Sequence, residues 1–533
     1  MIPEAWRRGR QTSVVVAAVV AAILAGLLPT VSPPVQAQSR PNIVLIMVDD
    51  LSVGLLKTMV DKGMMPNVKT YLTNPGYEFV QSFVTRSLGT PSRATSLTGL
   101  YAHNHGVLGH LNETNGGISR FDDTSTVATW LKAGGYHTGY VGKYLGGYGT
   151  WTAPTYVPPG WDDWTGVLEP HNHSMDNYRV NNNGTVTDFG PLYQQYGDVA
   201  HQMNVLTLQS GLFVWRAPFF LRPFFLYLAP TAINMELPFY NECPNPAAPF
   251  WGGNFWGATA RPPVRFFDTI YGNTTDFPLP MPGSFNEADV SDKPAWVQSA
   301  PMLTAEDTDC LQKNYWRRLE SLRAVDDMVG FVVRALQGTG AWSNTVMILT
   351  SDNGLYLGEH RLGEKSSAYE ESIRVPLYIR MPGNSVPRRI HQLVTNNDLV
   401  PTIVQLAGVL PGLVADGRSL MPLIQNPSTT AWRKAFLIEH WAEVDITTTT
   451  APTLFALRSG ITTRPRLLVE YPEVTTGATH ELYDLGLDPF ELRNLITDQS
   501  RAAEAIRMAV YLESLKTCRG LDCRLIENLF SFN

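Results

Sequence analysis

The sequence predicts an α/β fold: a large mixed, mostly parallel sheet flanked by helices, with a smaller C-terminal α+β subdomain. Two observations carry this reading. Residues 41–50, 223–228 and 345–350 are unbroken apolar runs bounded by Pro, Asp or Ser. Runs without alternation suit strands buried on both faces, as parallel strands are. Helical patterns lie between them, and strands alternating with helices build α/β layers.

Composition agrees. Hydrophobic residues are 44% and charged residues 17% of the 533, an ordinary globular balance with ample core. The net charge of −7 supplies no general basic face, so neither nucleic acid nor an anionic membrane is an expected partner.

At the N-terminus, Arg7, Arg8 and Arg10 precede an apolar stretch from Val14 to Leu28, and Val35-Gln36-Ala37 offers small residues for cleavage. Residues 1–38 therefore read as a signal peptide. The expectation is a secreted protein, periplasmic or extracellular, with no stable membrane span after cleavage. An uncleaved N-terminal anchor is the alternative, although the stretch is shorter than the ~20 residues a span prefers. Residues 41–430 then form the main α/β domain and 431–533 the smaller subdomain.

The first strand ends in Asp49-Asp50, and the run at 345–350 ends in Ser351-Asp352-Asn353-Gly354. Ligands of such sheets gather beyond the carboxyl ends of the strands. Adjacent carboxylates repel unless a cation holds them. An oxygen-only set of Asp49, Asp50, Asp352 and Asn353 suits a hard ion, Ca²⁺ or Mg²⁺. Taken alone, Asp-Asp reads equally as a solvated strand end.

Between these strands lies Leu88-Gly89-Thr90-Pro91-Ser92-Arg93. Pro91 suits the first turn of a helix. A helix N-terminus attracts sulfate or phosphate, and Arg93 adds a fixed cation. Lys143 and Lys365, each alone, read as solvated surface charges. His103, His105 and His110 read as structural or surface residues, and His360 as a cleft or loop-ordering residue.

Residues 240–310 are rich in Pro, Gly, Asn and aromatics. They read as a long ordered excursion shaping a cleft. Leu319, Leu322, Val325, Met328, Val329 and Val332 recur at helical spacing, with Gly338 as the expected stop. Further on, Ala456–Val469 and Glu481–Asp484 carry strand signals and Arg501–Leu515 a helix signal. Cys518 and Cys523 enclose a loop short enough for a local disulfide, which leaves Cys243 and Cys310; connectivity stays open.

The stretch from Ser87 to Gly99 closely resembles the signature of the sulfatase family, in the alkaline-phosphatase superfamily. Matching segments include Tyr101–Val107, Gly139–Tyr144, Val157–Asp162, Gly358–Lys365, Tyr369–Pro376, Asn397-Asp398-Leu399, Asp416–Leu420 and Asp488–Leu492. The resemblance is closest to N-acetylglucosamine-6-sulfatase-like and arylsulfatase members. It implies an alkaline-phosphatase-like fold, with Asp49, Asp50, Asp352 and Asn353 on the cation, usually Ca²⁺. It also implies that Arg93 steadies the nucleophile and that Lys143 and Lys365 contact sulfate. The implied partner is a sulfated or otherwise anionic saccharide or aryl ester.

Two positions depart from the pattern. Gly89 stands where the family oxidises a Cys or Ser to formylglycine, and it has no Cβ substituent to oxidise. No formylglycine is expected. Asn234 stands at the position of a family His; an amide donates a hydrogen bond but transfers no proton near neutral pH. The leading expectation is a metal-dependent hydrolase of sulfuric esters on sulfated sugars. The attacking group is a metal-bound water in the space Gly89 vacates, or, one residue late, the Thr90 hydroxyl. The alternatives are an inactive sulfatase-fold protein that binds sulfated or phosphorylated glycans, and a phosphoester or phosphonate hydrolase.

Overall fold

A ten-stranded mixed sheet organises the chain, and its register decides where the polar residues gather. The computed structural model describes residues 40–111, 114–236, 261–442, 451–460, 464–475 and 478–531. The residues read as a signal peptide, Cys243 and part of the 240–310 excursion lie outside them. The strand order is Arg388–Ile390, Tyr77–Phe79, Leu377–Arg380, Thr345–Ser351, Asn42–Val48, Phe224–Ala229, His137–Lys143, Asp163–Val167, Arg179–Asn182 and Thr185–Asp188. The five central strands, from Thr345–Ser351 to Asp163–Val167, are mutually parallel.

Asn42–Val48 shows why the apolar run is unbroken. Val44, Ile46 and Val48 pack into the core on one face, while Ile43, Leu45 and Met47 pack into the core on the other. The strand pairs with Thr345–Ser351 from Asn42↔Thr345 to Val48↔Ser351. Asp49 and Asp352 therefore leave the sheet at the same level.

The helix Ala305–Gly338 covers one face, opened by a Thr304/Asp307 capping box. Leu319, Leu322, Val325, Met328, Val329 and Val332 are each at most 1% exposed. Gly338 is not the stop. The helix runs through it to a C-cap at Thr339, and the first left-handed glycine is Gly340 at φ +74°. Gly338 serves close packing instead, because a Cβ there would meet the Trp215 ring at 2.5 Å.

A second, four-stranded antiparallel sheet comprises Ala435–His440, Leu454–Ser459, Arg466–Glu470 and His480–Asp484. The Ala456–Val469 signal is thus two strands folded back on each other. Helices Ala502–Leu515 and Leu521–Leu529 pack against this sheet. Cys518 and Cys523 form the expected local disulfide, and Cys310 is also disulfide-bonded. No helix among the described residues is long and apolar enough to cross a membrane.

Candidate active site

The parallel strands deliver their polar residues to one edge. Asp49-Asp50 follow Asn42–Val48, and Asp352-Asn353 follow Thr345–Ser351. Lys143 closes His137–Lys143, Asn234 follows Phe224–Ala229, and His173 follows Asp163–Val167. The helix Gly89–Thr98, buried along its whole length, brings Gly89 and Arg93 to the same edge. Leu88 at its N-cap makes no side-chain cap, so the helix end keeps its positive potential.

Asp49, Asp50 and Asp352 place carboxylate oxygens within 4.8 Å of one another. Asp50 takes φ +62°, a left-handed conformation that Asp tolerates better than most residues. Its N–H donates to Asp352 Oδ1 at 3.2 Å, and Asn353 Nδ2 donates to Asp50 Oδ1 at 2.6 Å. Three cations answer the three acids. Lys143 Nζ is 2.6 Å from Asp49 Oδ2, an Arg93 terminal nitrogen is 2.8 Å from Asp352 Oδ2, and Lys365 pairs with Asp50. Arg93 also donates to the Lys143 carbonyl at 3.1 Å, which fixes its fork.

Burial would raise the Asp49 carboxyl, yet Lys143, Arg93 and Lys365 together hold it well below the usual range. Asp352 goes the other way, pushed up to about 6 by burial and by the Asp49 charge beside it. Burial would pull the Lys365 ammonium down, but Asp50 and Asp49 hold it above its ordinary value.

The donor set fits a hard divalent cation. Asp49 Oδ1, Asp50 Oδ2 and Asn353 Oδ1 are buried oxygens with no hydrogen-bond partner, and oxygen-only ligation suits Ca²⁺ or Mg²⁺.

Leu88, Gly89, His110, Lys143, His173, Asn234, Met235, Glu364 and Lys365 line a pocket beside this cage. A Cβ built on Gly89 would meet Asp352 Oδ2 at 3.4 Å and His110 Cε1 at 3.9 Å, both ordinary contacts. The slot for a side chain is therefore present at position 89 and faces Asp352 and His110.

Thr90 is committed elsewhere. Its Oγ accepts from the Gly146 N–H at 2.9 Å and lies 2.7 Å from His110 Nδ1. Asn234 Oδ1 accepts from the Met235 N–H at 2.6 Å. His360 does not line the pocket; its Nδ1 is 2.7 Å from Glu287 Oε2.

Three pocket residues escaped the sequence reading. His110 is no surface residue: it is 8% exposed and lines the pocket, kept neutral by burial and by Lys143, with its pKa near 3. His103 and His105 do serve structure, through Glu439 and Thr95. His173 has two buried ring nitrogens with no hydrogen-bond partner. Burial, then Lys143, holds its pKa well below the ordinary value. Glu364 has one buried, unpartnered carboxyl oxygen, and burial pushes its pKa up to about 7. His173 had a legible signal, its place in the loop just past a parallel strand's carboxyl end. Glu364 had one in being next to Lys365.

Known proteins match most of the chain. The sulfatase family model matches residues 41–409, and the model for the N-sulphoglucosamine sulphohydrolase C-terminal region matches residues 358–517. An arylsulfatase of Volvox carteri is 30% identical, over 91% of this chain and 76% of its own length. The human N-acetylglucosamine-6-sulfatase is 31% identical, over 78% of this chain and 70% of its own. Against an extracellular sulfatase SULF-1 homolog of Drosophila melanogaster the chain spans only 33% of that protein's length.

Two solved structures share the fold. One is BT4656 in complex with its substrate D-glucosamine-2-N,6-O-disulfate, with TM-score 0.65, 21% identity and coverage of 92% of this chain and 100% of that one. The other is the phosphonate monoester hydrolase of Agrobacterium radiobacter, with TM-score 0.64, 22% identity and coverage of 90% and 95%. The family's enzymes are sulfuric ester hydrolases. On its sequence, its sheet order and its family match, this chain belongs to the sulfatase family.

Proposed function

We propose that this protein hydrolyses sulfuric esters of sulfated sugars, with water in the role that formylglycine plays in its relatives. The observation that carries the reading is the open slot at Gly89, which faces Asp352, a member of a cage of three carboxylates and three buried cations. Those six groups balance as −3 and +3. A divalent cation leaves the cage at +2, and an anionic ester offsets part of that charge. When bound, Ca²⁺ or Mg²⁺ supplies charge neutralisation and polarisation of the sulfuryl oxygens.

The chain's own groups do the rest. Lys143, Lys365 and Arg93 clamp the sulfate oxygens. Gly89 leaves room for the attacking water, whose oxygen forms the new S–O bond while the bond to the sugar oxygen breaks. Asn234 donates a hydrogen bond near the leaving oxygen. Glu364, in its protonated form, hands that oxygen its proton. One of the water's protons leaves on hydrogensulfate, and the other passes to solvent, from which Glu364 is reprotonated for the next cycle.

The test is turnover by purified protein with Ca²⁺ or Mg²⁺. Substrates are 6-O-sulfated glucosamine, an aryl sulfate, an aryl phosphate and a phosphonate monoester. The expected result is sulfate release that Asp352→Asn abolishes and Thr90→Val leaves within about 3-fold, a change of under 1 kcal/mol in the barrier. No turnover of any ester, with saturable sulfated-glycan binding, would overturn it. That outcome is the binding-protein reading, which the changes at Gly89 and Asn234 favour. Faster release from the phosphonate would reassign the substrate class.

A further inference from the structure

A second set of ligand atoms converges at the hairpin that precedes Lys365. Tyr356–Leu357 and Gly363–Glu364 pair antiparallel, and His360 sits in the turn between them. His360 and Glu491 are fully buried. His360, Glu371 and Glu491 bring ligand atoms within 4.8 Å of one another.

Each side chain is held at one end and unpartnered at the other. His360 Nδ1 is 2.7 Å from Glu287 Oε2, and Glu287 itself pairs with buried Lys293. The His360 ring also stacks on Tyr369 at 4.4 Å. Glu371 Oε1 accepts from Ser284 Oγ at 3.0 Å, and Glu491 Oε2 accepts from the Glu370 N–H at 3.1 Å. The opposite atoms, His360 Nε2, Glu371 Oε2 and Glu491 Oε1, are buried and have no hydrogen-bond partner. Nε2 lies 4.0 Å from Glu371 Oε2.

A buried imidazole whose Nδ1 is tied to a carboxylate and whose Nε2 is open is the form in which His ligates metals. Burial and the Glu371 and Glu370 charges push the Glu491 carboxyl well above its usual range, outweighing the opposing charge of Arg458.

We propose that His360 Nε2, Glu371 Oε2 and Glu491 Oε1 bind a divalent transition cation of the zinc type, separate from the oxygen-only cage. One nitrogen and two carboxylates suit Zn²⁺ or Co²⁺ better than Ca²⁺. The ion fixes the hairpin that presents Lys365. It also braces Asn353, because the carbonyls of Glu371 and Ser372 accept from the Leu355 and Gly354 N–H groups at 3.0 and 2.9 Å.

The experiment is Zn²⁺ titration of chelator-treated full-length protein in excess Ca²⁺, followed by calorimetry and metal analysis, with Co²⁺ absorption as a second reporter. Native protein and Asp50→Asn should each bind one zinc. His360→Asn and Glu371→Gln should weaken that binding by at least about 100-fold, the upper end of losses seen at supporting residues. Glu371 is partly exposed, so its variant tests the site even where the buried His360 change impairs folding. Anomalous scattering at the zinc edge locates the ion in native crystals. No bound zinc, zinc bound equally by both variants, or an ion located away from His360 would overturn the proposal. None of these outcomes depends on ester turnover, so the proposed activity stands or falls separately.

Discussion

Gly89→Ala separates the water mechanism from its rivals. Position 89 opens the helix Gly89–Thr98. The added methyl stands 3.4 Å from Asp352 Oδ2. A water bonded to that oxygen needs an O···O separation of about 2.8 Å, so the methyl and the water compete for one volume. The backbone has no objection: Gly→Ala at a compatible position stabilises by about 0.4–1 kcal/mol through the unfolded state. At roughly 2 cal/mol/K per residue over a unit of this size, that is about 1 °C in Tm or less. Activity should fall by at least about 100-fold, or ~2.7 kcal/mol in the barrier. Differential scanning calorimetry and sulfate release, measured on the same preparation, read both. A variant with native Tm and kcat within 2-fold of native would refute a water at Gly89. A companion, Gly89→Cys matured by a formylglycine-generating enzyme, should gain activity through the family's own route.

Other expectations rest on different parts of the molecule. Glu364→Gln should lower kcat and flatten the alkaline limb of the pH–rate profile; that limb should lie near pH 7 or below, since a bound cation draws the carboxyl down from about 7. Arg433 lies buried between Asp398, 2.5 and 2.8 Å away, and Glu527, 2.8 Å away. Arg433→Ala should therefore cost about 3–5 kcal/mol in chemical denaturation, because buried Asp398 loses the cation in contact with it, while Glu527 keeps Arg418. The His103 pKa is raised: burial opposes this, but the bond to Glu439 outweighs it. Its stabilising contribution is complete below the unfolded-state value and is lost as pH rises through the folded one. The Tm gap between native protein and His103→Gln should accordingly shrink from pH 5.5 to pH 9. Leu322→Ala, at a fully buried site on the long helix, should cost about 2–5 kcal/mol.

The central strands were legible because burial on both faces leaves no alternation to misread. Asp49, Asp50, Asp352 and Asn353 were legible because they end those runs. Gly338 misled because a glycine near a helix end has two uses, termination and close packing, and only the position of Trp215 distinguishes them. His173 and Glu364 stayed hidden for a similar reason. Neither residue type is unusual in a loop, and only the fold shows that their unpartnered atoms share a pocket with Gly89. His360, Glu371 and Glu491 are far apart in sequence, and no local spacing joins them.

The intact cage is weaker testimony to catalysis than it first looks. Asp49, Asp50, Asp352, Arg93, Lys143 and Lys365 are each at most 7% exposed, and each has an opposite charge beside it. Removing one leaves a partner short of opposite charge in a low-dielectric site, at a cost of up to about 3–5 kcal/mol. Folding alone therefore holds the set together, with or without turnover. Gly89 and Asn234 stand under no such constraint. The first faces an open slot, and the second is a neutral amide bonded to its neighbour's N–H. Loss of activity on mutating the cage confounds chemistry with stability. The reacting centre can change while the scaffold stays put. Substitutions at position 89 leave the charges balanced, so they discriminate between mechanisms more sharply than any change to the cage.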